Sequence, residues 1–223
     1  MITHDLKNPI SSIIGYVSLS NFKKDMTIED YKEYFNVIGS SAEYMLKVIE
    51  NLLELSKLEN NKLSFVFDDL TIHFVKDKIL SNYNNKLISK NIELLFSGNL
   101  ETIIRTDIAY FMRIIDNLIS NAIKFTYPHK KIFFNVSKKG NTTIISIKDE
   151  GQGMTEKDLS KIFGKFARLS ARPTGDESTS GLGLSIVKDI CDKLGIEVAV
   201  SSEGKDQGTE FTLTISDIFT DNK

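Results

Sequence analysis

The chain has 223 residues, 41% hydrophobic and 26% charged, which is an ordinary globular composition and long enough for one or two domains with proper cores. A net charge of −2 with no Lys/Arg-rich run argues against nucleic acid as a partner, and no apolar stretch approaches the ~20 residues of a membrane span, so no membrane contact by this fragment is expected. The first residues lack the charged, apolar and small-residue regions of a signal peptide, and the single cysteine, Cys191, permits no disulfide framework; a buried, inert thiol in a reducing, cytoplasmic setting is the natural expectation.

In chain order, apolar residues first recur at Ile2, Leu6, Ile10, Ile13, Ile14 and Val17, close to helical spacing. After Lys23-Lys24-Asp25-Met26-Thr27 the pattern resumes from Tyr31 to Leu58, and Thr27 followed by Asp30 resembles a capped helix start. Residues 1–60 therefore read as a helical hairpin. Its apolar stripe is too wide for one pair of helices to bury, so two hairpins packed as a dimeric four-helix bundle are expected. From residue 61 to residue 223 the texture changes to alternating strands and helices. Residues 63–67 and 92–96 read as strands, 70–83 and 107–125 as helices, and 131–137 and 142–148 as strands around the Lys139-Gly140-Asn141 turn. A helix near 183–194 and strands at 197–201 and 209–215 follow, while the polar run 170–180, with Pro173 and Gly175, reads as a mobile loop. The fold class expected is α+β, a helical hairpin followed by an α/β sandwich with a mixed sheet.

Within this second part, Asn117, Asn121 and Lys124 stand at i, i+4 and i+7 and share one helix face, with Phe111, Ile114, Ile115, Leu118 and Ile119 on the apolar side. Two carboxamides and an ammonium suit a hydrated magnesium ion and phosphate oxygens, because magnesium is hard and prefers oxygen ligands; a plain solvated face accounts for them equally well. Asp149-Glu150-Gly151-Gln152-Gly153 follows a strand directly. An aspartate there can accept from an exocyclic amine, and the glycines admit a ligand, although a tight turn explains the same residues. Gly181-Leu182-Gly183-Leu184 opens a helix, whose free N–H groups favour anions.

The succession N-x-x-x-N-A-x-K-F, D-x-G-x-G, F-x-x-F, G-L-G-L and G-T-x-F, over residues 63–215, resembles the ATPase domain of sensor histidine kinases. That resemblance implies ATP and Mg2+ as cofactors. It implies Asn121 as the principal magnesium ligand with Asn117 assisting, Lys124 on phosphate, and Asp149 on the adenine amine beside Gly151 and Gly153. Gly181, Leu182, Gly183, Leu184 and Thr209 would complete the nucleotide site. Phe163 and Phe166 would anchor a lid running over residues 155–180, and Arg168 would reach the terminal phosphate; simple core packing also accounts for the two phenylalanines. Many members carry a glycine where this chain has Thr179, which puts the lid geometry in question. No P-loop and no Rossmann fingerprint is present.

His4-Asp5-Leu6-Lys7-Asn8-Pro9 matches the phospho-acceptor box of the same family. Histidine suits the role because its ordinary pKa of ~6.5 leaves much of it neutral and nucleophilic at cellular pH. Asp5 would hold one ring N–H, Asn8 lies one turn away on the same face, and Pro9 should bend the helix. The resemblance thus implies a homodimer through residues 1–60 whose His4 is phosphorylated from ATP. It also implies a response-regulator receiver domain as partner, and a reverse reaction in which Asp5 and Asn8 help hydrolyse the receiver's phospho-aspartate. His73 and His129 read as structural. Chaperone, gyrase and mismatch-repair ATPases place a water-activating glutamate where Asn117 stands, an anti-sigma serine kinase would lack the hairpin, and a non-enzymatic dimeric scaffold is the remaining alternative. Met1 lies three residues before His4, so a trimmed chain with a sensor region upstream, membrane-anchored or not, is expected.

Overall fold

The computed structural model describes residues 2–22, 26–59, 64–167, 169–175 and 181–216, with side chains from residue 6 onward. The chain divides into two compact units, residues 1–61 and 62–223. The first is a hairpin of α1 (Ile2–Phe22) and α2 (Ile28–Glu59). α2 starts where Thr27 and Asp30 form a reciprocal cap: the Thr27 N–H donates to Asp30 Oδ2 at 2.8 Å and the Asp30 N–H donates to Thr27 Oγ1 at 3.1 Å. α1 runs on through Pro9, which has no N–H to give the carbonyl four residues back. Tyr16 meets Tyr34 edge-on at 5.0 Å across the hairpin. Ile10, Ile14 and Val17 of α1 and Leu46, Ile49 and Leu53 of α2 stay exposed, spaced at i, i+4, i+7 and i, i+3, i+7.

The second unit is a two-layer α/β sandwich. Its sheet has the order β2 (Glu93–Gly98), β4 (Lys131–Lys139), β5 (Thr142–Asp149), β7 (Thr209–Ser216), β6 (Ile196–Ser201). β2 and β4 are parallel and every other neighbour is antiparallel, so the sheet is mixed. A separate ribbon pairs β1 (Phe67–Thr71) antiparallel with β3 (Ile103–Asp107). Alternation decides which face is covered: Ile132, Phe134 and Val136 of β4, Ile145 and Ile147 of β5, and Phe211, Leu213 and Ile215 of β7 are buried together. Onto this unit's core α4 (Ile108–Phe125) lays Phe111, Ile114, Ile115, Leu118 and Ile119, all fully buried, and α6 (Gly183–Leu194) adds Ile186, Val187 and Ile190. Cys191 is buried in the same layer, which pushes its thiol up to about 12 and leaves it inert.

Three elements differ from the sequence expectation. The first strand lies at 67–71 rather than 63–67, and α3 runs from Ile72 to Lys90 instead of over 70–83, because Thr71 Oγ1 caps its start and Asn91, left-handed at φ 52°, ends it. β3 has no counterpart in the sequence expectation, and a single helical turn, α5 (Glu156–Leu159), lies within the segment expected as a lid. Asp107, expected as the first residue of a helix, is its N-cap: Oδ1 accepts from the Tyr110 N–H at 3.1 Å and Oδ2 from the Val66 N–H at 2.9 Å.

Candidate functional site

β5 ends at Asp149, whose side chain is only 5% exposed. Its Oδ1 accepts from the Gly151 N–H at 2.9 Å, and the backbone of Thr209, its register partner on β7, donates to the same carboxylate. Burial pushes the Asp149 carboxyl up to about 6, against the pull of those two N–H groups. The segment that follows is pinned on both sides. On one side Gln152 N–H donates to the Phe125 carbonyl at the end of α4, and a Cβ on Gly151 would stand 2.4 Å from that same oxygen. On the other side Gly208 N–H donates to Gly151 O, Asp206 N–H donates to Gln152 O, and the Ser202 hydroxyl joins Met154 N–H to Gly208 O. Gly153 also lies against Gly204, so the G-x-G spacing is a requirement of backbone packing at this corner.

The α4 face carries Asn117, Asn121 and Lys124, all half-buried. Asn117 Nδ2 donates to the Arg113 carbonyl at 2.9 Å, which turns its Oδ1 toward the start of α6; a Cβ on Gly183 would lie 2.6 Å from that oxygen. This contact brings the helix-face motif and the second glycine motif together. α6 begins at Gly183 with Leu182 as its N-cap and no side-chain cap, so its first N–H groups are not consumed by a capping side chain. Leu182 itself is fully buried, which leaves only its backbone for a ligand, while Leu184 is half-buried. The oxygen donors of the two asparagines, the ammonium of a half-buried lysine and a helix N-terminus without a side-chain cap fit a magnesium-bound polyphosphate.

Phe163 and Phe166 are half-buried, and the buried residue of that segment is Ile162. Phe166 adopts a left-handed φ of 59° and its N–H donates to the Gly181 carbonyl at 2.9 Å, so the F-x-x-F and G-L-G-L motifs meet directly. Residues 170–174, expected as part of a mobile loop, are held by hydrogen bonds. Ser170 is bound by Asp158, Arg172 by Gln152, and Thr174 by the last carbonyls of α4. Burial pushes the Asp158 carboxyl up, but hydrogen bonds from Ser170 and Thr155 outweigh it and hold it at about 2. Arg168 and Thr179 lie outside the described residues. So do the side chains of His4 and Asp5, whose backbone belongs to α1; Asn8 is exposed on that helix. At Gly208, the first residue of the G-T-x-F motif, a Cβ would stand 1.9 Å from the Asp149 carbonyl, so the glycine there is a requirement of backbone packing.

Residues 106–217 match the family described as histidine kinase-, DNA gyrase B- and HSP90-like ATPase, and residues 1–61 match the His Kinase A phospho-acceptor domain. The chain belongs to the histidine kinases. It is 32% identical over 224 residues to the autoinducer 2 sensor kinase/phosphatase LuxQ of Vibrio parahaemolyticus, covering 96% of this chain and 25% of that protein. It is 28% identical over 218 residues to the circadian input-output histidine kinase CikA of Synechococcus elongatus, covering 96% of this chain and 29% of that one. This histidine-kinase chain thus spans about a quarter of the length of these curated relatives. Among solved structures, histidine kinase ThkA in complex with the response regulator protein TrrA superposes with a TM-score of 0.77 at 22% identity, covering 97% of this chain and 60% of that one. The histidine kinase AdeS of Acinetobacter baumannii gives 0.72 at 23% identity over 96% and 97%. Both share the hairpin-plus-sandwich fold.

Proposed function

We propose that this chain is the catalytic core of a sensor histidine kinase, which transfers the γ-phosphoryl group of ATP to His4 and from there to an aspartate of a response-regulator receiver domain. The observation that carries the reading is the division of labour: a phospho-acceptor box on a separate helical unit, and on the other unit the α4 face of Asn117, Asn121 and Lys124, packed at Asn117 against Gly183 of α6 and joined at Phe125 to the turn that follows Asp149. In this reading residues 1–60 are the dimerisation and phosphotransfer hairpin and 61–223 the ATP-binding domain.

The roles follow from the chemistry of each group. Asp149 accepts from the adenine amine, and Gly151 and Gly153 let the ring lie close to backbone. Lys124 and the N–H groups at Gly181, Leu182, Gly183 and Leu184 hold the phosphates, with Phe163, Phe166 and Arg168 closing the site and Thr209 holding Asp149 in place. A magnesium ion held by the oxygens of Asn121 and Asn117 would neutralise charge on the phosphate oxygens. Neutral His4 offers its ε nitrogen to the γ-phosphorus; the N–P bond forms as the bond to the bridging oxygen breaks, and ADP leaves with that electron pair. Asp5 orients the imidazole and stabilises the cation formed. Asparagine at position 117 cannot act as the base of a hydrolase, which favours transfer over hydrolysis. The exposed apolar faces of α1 and α2 support a homodimer. The similarity to LuxQ, a sensor kinase/phosphatase, supports a second, reverse activity toward the receiver.

The nucleotide half of the reading is tested by titrating a fluorescent ATP analogue with and without magnesium. Asn121→Ala should abolish magnesium-dependent binding while the protein stays folded by circular dichroism. Unchanged affinity in that variant would remove the helix-face site.

A further inference from the structure

Residues 170–174 form a strap in which alternate N–H groups are tied to three different parts of the second unit. Ser170 N–H donates to Asp158 Oδ1 at 3.0 Å, Arg172 N–H to Gln152 Oε1 at 3.1 Å, and Thr174 N–H to the Lys124 carbonyl at 2.9 Å. Gln152 also donates through Nε2 to the Arg172 carbonyl at 2.7 Å, so that pair is reciprocal. These anchors are not scattered. Gln152 stands between Gly151 and Gly153, and Lys124 follows Asn121 on the same helix face.

The firmest anchor is at the end of α4, where the last carbonyls have no partner within the helix. Thr174 Oγ1 lies 2.8 Å from the Thr126 carbonyl and 3.0 Å from the Lys124 carbonyl, and with one proton to give it can serve one of them at a time. Its lone pairs remain available, and Lys90 Nζ donates to it at 3.0 Å. The same ammonium lies 3.0 Å from the Ile123 carbonyl and 3.4 Å from that of Lys124. A cation is favourable at this negative end of the helix dipole. Lys90 is the last residue of α3 and lies 84 residues from Thr174 in sequence, away from every nucleotide motif.

We propose that Lys90, Thr174 and Gln152 are positioning residues for the nucleotide site: they latch the strap onto the C-terminal end of α4 and so hold Asn121, Lys124 and the turn at Gly151 to Gly153 in register before ATP arrives. This rests on the function proposed above and adds residues argued to act through the strap and the end of α4. Ordering the strap in advance reduces what binding must order, so the latch acts on affinity and leaves the rate at saturation alone.

The experiment uses the full chain and three single variants: Thr174→Val, which keeps the shape and loses the hydroxyl, Thr174→Ser, which keeps it, and Lys90→Met. Hydrogen exchange at the amides of Ser170, Arg172 and Thr174 is followed without nucleotide, and a non-hydrolysable ATP analogue with magnesium is titrated. Thr174→Val and Lys90→Met should each speed exchange of the strap and weaken the analogue about fivefold, the scale of one lost hydrogen bond. Labelling at saturating ATP should keep its wild-type rate, Thr174→Ser should restore both properties, and a further variant combining Thr174→Val with Lys90→Met should be little worse than either single one. Exchange and affinity both unchanged in the two variants, or exchange faster with affinity unchanged, would overturn the latch. Failure of the wild-type chain itself to bind the analogue would instead overturn the nucleotide site and the latch with it.

Discussion

In the proposed function Asp149 is the acceptor of the adenine amine, and its protonation makes that role testable. Its carboxyl is raised to about 6, so the folded protein binds more protons than the unfolded chain between about pH 4 and that value. Stability therefore falls as pH rises through this window, the reverse of the usual carboxylate, and the ionised form costs the folded state on the order of 2–3 kcal/mol above it. An amine donating to the ionised carboxylate offsets part of that cost and lowers its pKa, so nucleotide binding releases a proton. Affinity for ATP should then be flat above pH 7 and weaken by up to about tenfold per unit below pH 6. Titrations between pH 5 and pH 8 check this, and a Kd independent of pH would show that Asp149 is not the amine acceptor. Asp149→Asn should raise the melting temperature of the nucleotide-free protein at pH 7 while weakening ATP binding. Asp5 and Asn8 should separate in the same spirit. Asn8→Ala should keep autophosphorylation within a few-fold yet slow dephosphorylation of a phosphorylated receiver by roughly 10²-fold, whereas Asp5→Ala should damage autophosphorylation. If both variants lose self-labelling equally, Asn8 supports the helix near Pro9 instead.

At the scale of elements, legibility followed periodicity. α4 was plain because its apolar positions keep helical spacing for its whole length, and β4, β5 and β7 because buried and open positions alternate over eight or nine residues. β3 was hidden, since Ile103 and Arg105 are exposed and Ile104 and Thr106 buried, leaving no apolar run to see. The polar stretch Ser81, Asn82, Asn84 and Asn85 masked the second half of α3, which continues because Leu87 packs in the core. The nucleotide motifs were readable in order, and their meeting through Gly183 and Asn117 required the fold. The latch was not readable at all, because nothing local marks Lys90 as a partner of Thr174. The hairpin makes its own prediction. With Ile14 61% and Leu53 58% exposed, a fragment of residues 1–60 should run as a dimer and one of residues 62–216 as a monomer in light scattering. A monomeric hairpin fragment at high micromolar concentration would show that the apolar faces have another occupant.

For the whole molecule, the proposed phosphoryl transfer divides between the two units: the first matches the phospho-acceptor domain and the second contains the match to the ATPase family. No helix among the described residues is long and apolar enough to cross a membrane. The most direct test is incorporation of label from γ-labelled ATP into the wild-type chain and His4→Gln. The wild type should take up label that is lost in acid and kept in base, as expected of a phosphoramidate, while His4→Gln takes up none and binds a non-hydrolysable ATP analogue with wild-type affinity. Acid-stable label, or label that persists in His4→Gln, would contradict the account.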